Sequence, residues 1–362
     1  MKDIPEKLAE IPTKLTGSVI RHFLKNRYRK TLLRLYKGES ELPEGTARAR
    51  VVIFHGYSKH SETPDMQKFR HILQREGKCD VFYCDMPYHG LSVPEGKEHL
   101  RGKIKSFKRL VEAVHALTLK ALSRPYIHPI PTFMVGYSMG GLAMFRFLEE
   151  NPGLQSYIAG CNSIALPLRV DHNAHALIQK YKKYIESIAR WASYIPYVAD
   201  IPVGDIGVGD PEDTLEYNER IDLRSAMEMH VATIEAKRGL EKITLPCLFS
   251  HGAKDRTAPV GDTKEAVALI KTDPDKKKII IYPDADHGLL DQSKSKGVDV
   301  ARDFLEWMNE IIEKRTWEPV EYENMADEAL ELTSDTYFYF NRRAQQIKKI
   351  FFRWWKNLQF WK

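Results

Sequence analysis

The stretch from Pro131 to Glu150 constrains the fold more than any other part of the chain. Pro131-Thr-Phe-Met-Val135 is a short apolar run that ends at Gly136-Tyr137-Ser138-Met139-Gly140-Gly141. Leu142 to Glu150 then keeps a helical period and stops at Asn151-Pro152-Gly153. The pattern predicts a buried strand, a sharp turn with serine at its apex, and a helix that opens at the turn. So tight a turn needs small residues two positions either side of the serine, and both are glycine. It lifts the hydroxyl out of the sheet and aims the helix N-terminus at it. The amides at that end can then stabilise a developing negative charge. A bare Gly-x-Ser-x-Gly arises often by chance, and the strand before it and the helix after it make it specific.

The same alternation runs through the rest of the body. Apolar runs at Ala49–Phe54, Cys79–Cys84, Ser156–Cys161, Thr244–Ser250 and Lys278–Tyr282 read as further strands. Several end at polar residues: His55-Gly56, Asp85 and His251-Gly252. Ile104 to Leu122 and Val298 to Ile312 read as helices. Strands alternating with helices predict an α/β fold, a mostly parallel sheet with helices on both faces. In such sheets polar chemistry collects at the carboxyl ends of the strands. Residues 162–240 break the rhythm. Ala174–Tyr194 reads as helical, Pro196–Asp213 is rich in Gly, Pro and Asp, and Leu223–Arg238 reads as helical again. This stretch is expected to be a helical cap inserted between residues 45–161 and 241–315 of the core.

Charge separates the ends from the body. The 362 residues hold 55 Lys and Arg against 49 Asp and Glu. Seven of the basic residues lie between Arg21 and Lys37, and seven between Arg342 and Lys362, with no acid in either stretch. The remainder is therefore acidic, and a general nucleic-acid binder is excluded. The expected organisation is a basic arm over 1–44, an acidic linker over 316–336 and a basic, aromatic tail over 337–362. In the tail, Ile347, Ile350, Phe351, Trp354, Leu358 and Trp361 form one helical stripe, with Lys349, Arg353 and Lys356 on the other side. This suits a helix lying in the headgroup region of an anionic membrane. The same stripe also suits a helix docked on the body. The arm's stripe, from Ile20 to Tyr36, is patchier and suits a loosely packed arm equally well.

Four scattered cysteines are too few for a disulfide framework and read as buried thiols. The start of the chain has no apolar signal segment, and no stretch reaches the roughly 18 apolar residues of a membrane span. The expected location is cytoplasmic, with peripheral attachment to a membrane.

A serine hydroxyl needs a base to become nucleophilic. His287 is the best placed, in the loop Pro283-Asp-Ala-Asp-His-Gly288 after the last strand. The base needs a carboxylate to fix its tautomer. Asp255, just past a strand in His251-Gly-Ala-Lys-Asp-Arg256, fits that part. Asp284 and Asp286 rank below it, because a side chain so near in sequence rarely reaches the far side of the ring. The amides of Tyr57 and Met139 are the expected pair of oxyanion donors. His55 reads as a brace for its loop. The His60-x4-Asp65 spacing reads as incidental. Chemistry of this kind calls for no metal and no organic cofactor.

These residues carry a resemblance. His55-Gly56 with His60-Ser61, Asp85-Met-Pro-Tyr-His89-Gly90-Leu-Ser92, Gly-Tyr-Ser-Met-Gly-Gly, Gly252-Ala-Lys-Asp255-Arg256 and His287 stand in family order over residues 48 to about 312. The chain resembles the α/β-hydrolase superfamily, and within it the monoacylglycerol lipase and lysophospholipase group of serine aminopeptidase-like hydrolases. It departs from the group at Met86-Pro87-Tyr88, where a glycine is usual, and at Tyr57-Ser58-Lys59. Residues 162–240 match the family's cap poorly. The resemblance implies the α/β-hydrolase fold, the triad Ser138, Asp255 and His287, and hydrolysis of lipid esters such as monoacylglycerol or lysophospholipid. Thioesterases, transacylases and peptidases share the triad, and a non-catalytic scaffold on the same fold is a further alternative.

Overall fold

The computed structural model describes residues 35–38, 47–93, 96–122, 128–169, 202–204, 212–216, 221–291 and 299–314. The acidic linker, the aromatic tail and most of the basic arm lie outside the described residues, as does the helix read at 174–194.

Among the described residues, nine strands and six α-helices alternate as expected. In chain order they are β1 (Leu35–Gly38), β2 (Ala49–Phe54), α1 (Pro64–Arg75), β3 (Cys79–Cys84), α2 (Phe107–Leu122), β4 (Thr132–Tyr137), α3 (Met139–Glu150) and β5 (Gly160–Ile164). After these come β6 (Pro202–Gly204), β7 (Ile221–Asp222), α4 (Leu223–Gly239), β8 (Cys247–Gly252), α5 (Val260–Leu269), β9 (Lys277–Tyr282) and α6 (Val300–Glu313). The main sheet runs β1-β3-β2-β4-β5-β8-β9, and β6 and β7 form a separate antiparallel pair. From β3 to β9 every pairing is parallel. The carboxyl ends of these strands therefore share one edge. The order reverses at β2, between β3 and β4, which opens a crevice at that edge.

The central strands are buried on both faces, so they read as solid apolar runs and not as alternating ones. Successive side chains of β2 still part to opposite sides. Val51 and Ile53 join a core with Met66, Phe69 and Leu73 of α1 and Phe304, Trp307 and Met308 of α6. Phe133 of β4 meets Phe304 and Trp307 edge-on, with centroids 6.2 and 6.1 Å apart. On the other face lie α2, α3 and α4, with α3 packed against both its neighbours. The buried Arg50 reaches the end of α2 and donates to the carbonyls of Ala121 and Leu122, both at 2.9 Å. Those carbonyls have no partner within the helix, and a guanidinium both bonds and neutralises them. All four cysteines are buried thiols.

Two local expectations differ from the structure. The run Ser156–Cys161 is not the fifth strand: Pro152–Tyr157 forms a 3-10 turn, and pairing begins only at Gly160 and runs to Ile164. A proline start and a glycine favour the turn, and the register with β4 selects the later residues. Leu35–Gly38, assigned to the basic arm, pairs antiparallel with β3. An open strand edge offers backbone groups to any segment, whatever its side-chain pattern.

Candidate active site

The turn at the end of β4 has the shape its sequence demanded. Ser138 sits at φ 51°, ψ −117°, a strained conformation for a side chain with a Cβ. A Cβ on Gly136 would stand 2.5 Å from Gly141 Cα, so no larger residue fits. The Ser138 amide donates to Ile164 O at 2.8 Å and ties the turn to β5. Met139 opens α3, and the amides of a helix's first turn have no partner within the helix.

The structure brings the three candidate side chains together from three strand ends. His287 Nε2 lies 3.0 Å from Ser138 Oγ, and Nδ1 lies 2.7 Å from Asp255 Oδ2. The other oxygen, Asp255 Oδ1, accepts from the amides of Thr257 and Ala258, each at 2.8 Å. Burial alone would push the Asp255 carboxyl up. Hydrogen bonds from His251 and His287, with the Ala258 amide, outweigh burial and hold it well below the usual carboxylate range. Asp255 is thus an anion in the folded protein. Asp284 and Asp286 are engaged elsewhere. Asp284 is exposed and pairs with Lys254 at 2.8 Å, and Asp286 Oδ1 accepts from the Gly288 amide at 2.8 Å.

The loop after β2 lies against Ser138. A Cβ on Gly56 would touch Tyr137 Cδ1 at 3.3 Å and Ser138 Cβ at 3.4 Å, so the loop closes tightly on Ser138 at Gly56. The Tyr57 hydroxyl donates to Gly102 O at 2.7 Å, and Ser58 follows at φ 53°. His55 braces this loop: its Nε2 accepts from the Met86 amide at 2.8 Å, and burial lowers its pKa to about 4. Asp85 joins the same loop to the one after β3. Its Oδ1 accepts from the Ser61 amide at 2.8 Å and hydroxyl at 2.5 Å, and its Oδ2 from the Leu91 amide at 2.8 Å. His60 does not pair with Asp65. Its Nε2 meets Asp213 at 2.7 Å, while Lys59 meets Glu216 at 2.8 Å, so residues 212–216 of the insertion are held on this loop by a hydrogen bond and an ion pair.

A model of the family described as serine aminopeptidase, S33, matches residues 45–294. The chain belongs to the S33 serine aminopeptidase family. Among its relatives, a monoacylglycerol lipase of Mycolicibacterium smegmatis is 23% identical over 263 residues, 70% of this chain and 86% of that protein. The solved monoacylglycerol lipase of Paleococcus ferrophilus is 21% identical, with a TM-score of 0.58 over 78% of this chain and 100% of that one. The monoglyceride lipase of Saccharomyces cerevisiae, solved with a substrate analogue, has a TM-score of 0.61 at 17% identity, over 78% of this chain and 92% of that one. These structures share the α/β-hydrolase fold.

Two contacts in this S33 chain had no signal in its sequence. Tyr137 stacks on the His287 ring, with centroids 5.7 Å apart and planes at 27°, and donates its hydroxyl to His287 O at 2.7 Å. His251 stands behind Asp255. Both lie within apolar strands, where an aromatic or a histidine reads as packing. Among the described residues no cluster of His, Cys, Asp or Glu is arranged to hold a metal ion, and no helix is long and apolar enough to cross a membrane.

Proposed function

We propose that the protein is a serine hydrolase that cleaves carboxylic esters of lipids, monoacylglycerols or lysophospholipids, through an acyl-enzyme. The observation that carries the reading is the His287 ring, which spans from the Ser138 hydroxyl at 3.0 Å to the Asp255 carboxylate at 2.7 Å. Ser138 Oγ attacks the ester carbonyl while His287 Nε2 takes its proton. Asp255 holds Nδ1–H and stabilises the imidazolium, and stays ionised itself. The amides of Tyr57 and Met139 donate to the oxyanion. The imidazolium then protonates the leaving alcohol. Water, activated by the same ring, attacks the acyl-enzyme and releases the acid. Every proton moves between groups of this chain and the reactants. The lipid substrate class is supported by a relative named monoacylglycerol lipase, which this chain matches over 86% of that protein's length.

The inserted stretch acts as a cap over the crevice, tied to the loop of Tyr57 through Asp213 and Glu216. The tail, residues 337–362, holds the enzyme on anionic membrane, where such substrates partition.

A fluorophosphonate probe tests the mechanism: it labels the wild type and fails on Ser138→Ala. A panel of monoacylglycerol, lysophosphatidylcholine, an acyl-CoA and an aminoacyl-arylamide tests the substrate class. The family's description makes the arylamide the arm to watch, and a clear preference for it would defeat the lipid reading. Sedimentation with anionic liposomes tests the tail, and binding that survives removal of 337–362 would remove that claim.

A further inference from the structure

We propose that His251 is a positioning residue: it holds the Asp255 carboxylate in the orientation that His287 requires. The inference rests on the reading of Ser138, His287 and Asp255 as a triad. His251 is the penultimate residue of β8 and is fully buried. Its Nε2 lies 2.6 Å from Ala258 O and 3.3 Å from Asp255 Oδ2. A carbonyl and a carboxylate only accept, so Nε2 carries a proton, which it donates to Ala258 O while its positive N–H end stands against Oδ2. Its Nδ1 lies 2.7 Å from Thr263 Oγ1 on α5, a hydroxyl that can donate to it. The ring is therefore fixed from both ends, by the loop after β8 and by α5.

The carboxylate in turn is held from four sides. Oδ1 takes the amides of Thr257 and Ala258, Oδ2 takes His287 Nδ1–H, and His251 Nε2 stands 3.3 Å from Oδ2 on the other side. Without His251, Oδ2 is held from one side only, by the mobile partner of the reaction. Rotation of the carboxylate about its Cβ–Cγ bond is then opposed only from the Oδ1 side. With His251 in place, Oδ2 stays on the line to Nδ1 while the His287 ring passes its proton back and forth. Asp255 itself depends on the same contact: a carboxylate buried this deep is costly to leave without polar neighbours. The Ala258 carbonyl accepts from the same N–H, so one histidine ties the strand end, the carboxylate and the following loop into a single unit.

The experiment measures kcat and KM on a soluble ester for His251→Leu and His251→Gln, beside Asp255→Ala as control. Leucine removes the donor, and glutamine returns an N–H at about the reach of Nε2. The expected result is a kcat lower by about tenfold or more for leucine, the scale of a hydrogen bond to a charged group, with KM within about twofold. Glutamine recovers most of the loss. If His251→Leu does not fold, Thr263→Val is read in its place. That variant frees the far end of the ring at nearly constant volume and is expected to lower kcat by a few fold with KM unchanged. Wild-type kcat in the leucine variant, or equal losses in leucine and glutamine variants, overturns the proposal, as does wild-type kcat in Thr263→Val when that variant is the one read. An Asp255→Ala protein with wild-type activity instead overturns the triad reading beneath it.

Discussion

Asp255→Asn puts the proposed triad under the sharpest strain, because the structure dictates how the amide must sit. Oδ1 accepts two backbone N–H groups, so the amide oxygen takes that place; the reverse orientation would set two donors against NH2. The NH2 group then occupies the position of Oδ2, 2.7 Å from His287 Nδ1 and 3.3 Å from His251 Nε2. It donates to Nδ1, which drives the His287 proton to Nε2. That nitrogen now offers a proton to Ser138 Oγ and cannot take one. The NH2 also meets the N–H of His251, a donor facing a donor. A triad histidine held in the wrong tautomer loses about 10⁴-fold in kcat, on the order of 5 kcal/mol of transition-state stabilisation. Losing one buried hydrogen bond at His251 costs about 1–3 kcal/mol of stability. The assay is release of p-nitrophenol from a short-chain ester, with fluorophosphonate labelling of the same samples. A folded Asp255→Asn protein within about tenfold of wild-type kcat would refute the reasoning, since a carboxylate that only packs would be replaced well by its amide.

Gly140→Ala tests the close approach of α3 to β2. Alanine normally gains up to about 1 kcal/mol over glycine inside a helix, but here its Cβ would collide with the backbone carbonyls of Phe54 and His55. We expect a lower melting temperature and labelling slowed by at least about tenfold, and an unchanged protein would count against the geometry. Glu149→Gln tests a buried carboxyl at the far end of α3 from Ser138. Burial pushes the Glu149 carboxyl up from 4.5 to about 8 against the attraction of Arg146. Between these values the folded chain keeps a proton that the unfolded chain has released, so stability falls as pH rises through the window and levels off above it. The melting-temperature advantage of Glu149→Gln should therefore grow from pH 5 to pH 8, and parallel curves would contradict it. Tyr137→Phe keeps the ring stack on His287 and removes the hydroxyl that bonds its carbonyl. A net loss of about 1 kcal/mol predicts kcat lower by about fivefold with little change in melting temperature, and a loss in KM alone would speak against it.

Much of the candidate site was legible because each part is encoded locally. The apolar run into Gly-Tyr-Ser-Met-Gly specifies a strand, a turn and a helix through side-chain size and periodicity, and β2 and β3 lie on the residues their runs marked. The fifth strand was misplaced because Ser156–Cys161 is apolar enough to suit a strand, and only pairing with β4 selects Gly160–Ile164. The helix α1 was not anticipated, since Met66, Phe69, Arg70 and Leu73 bury an arginine within the stripe and blur its period. The partner of His60 was out of reach for another reason: Asp213 lies 153 residues away, in a stretch with no periodicity of its own.

The sequence by itself determined the alternation of elements, the small residues at the turn and the chain order of Ser138, Asp255 and His287. These follow from backbone sterics and from which side chains water rejects, both of which act over a few residues. Only the tertiary structure decided which atoms meet: that Nε2 of His287 faces an oxygen 149 residues away, that Asp255 and not Asp284 takes Nδ1, and that His251 backs the carboxylate. Such contacts are set by the order and register of parallel strands. Those depend on the packing of the whole sheet, which no short segment carries.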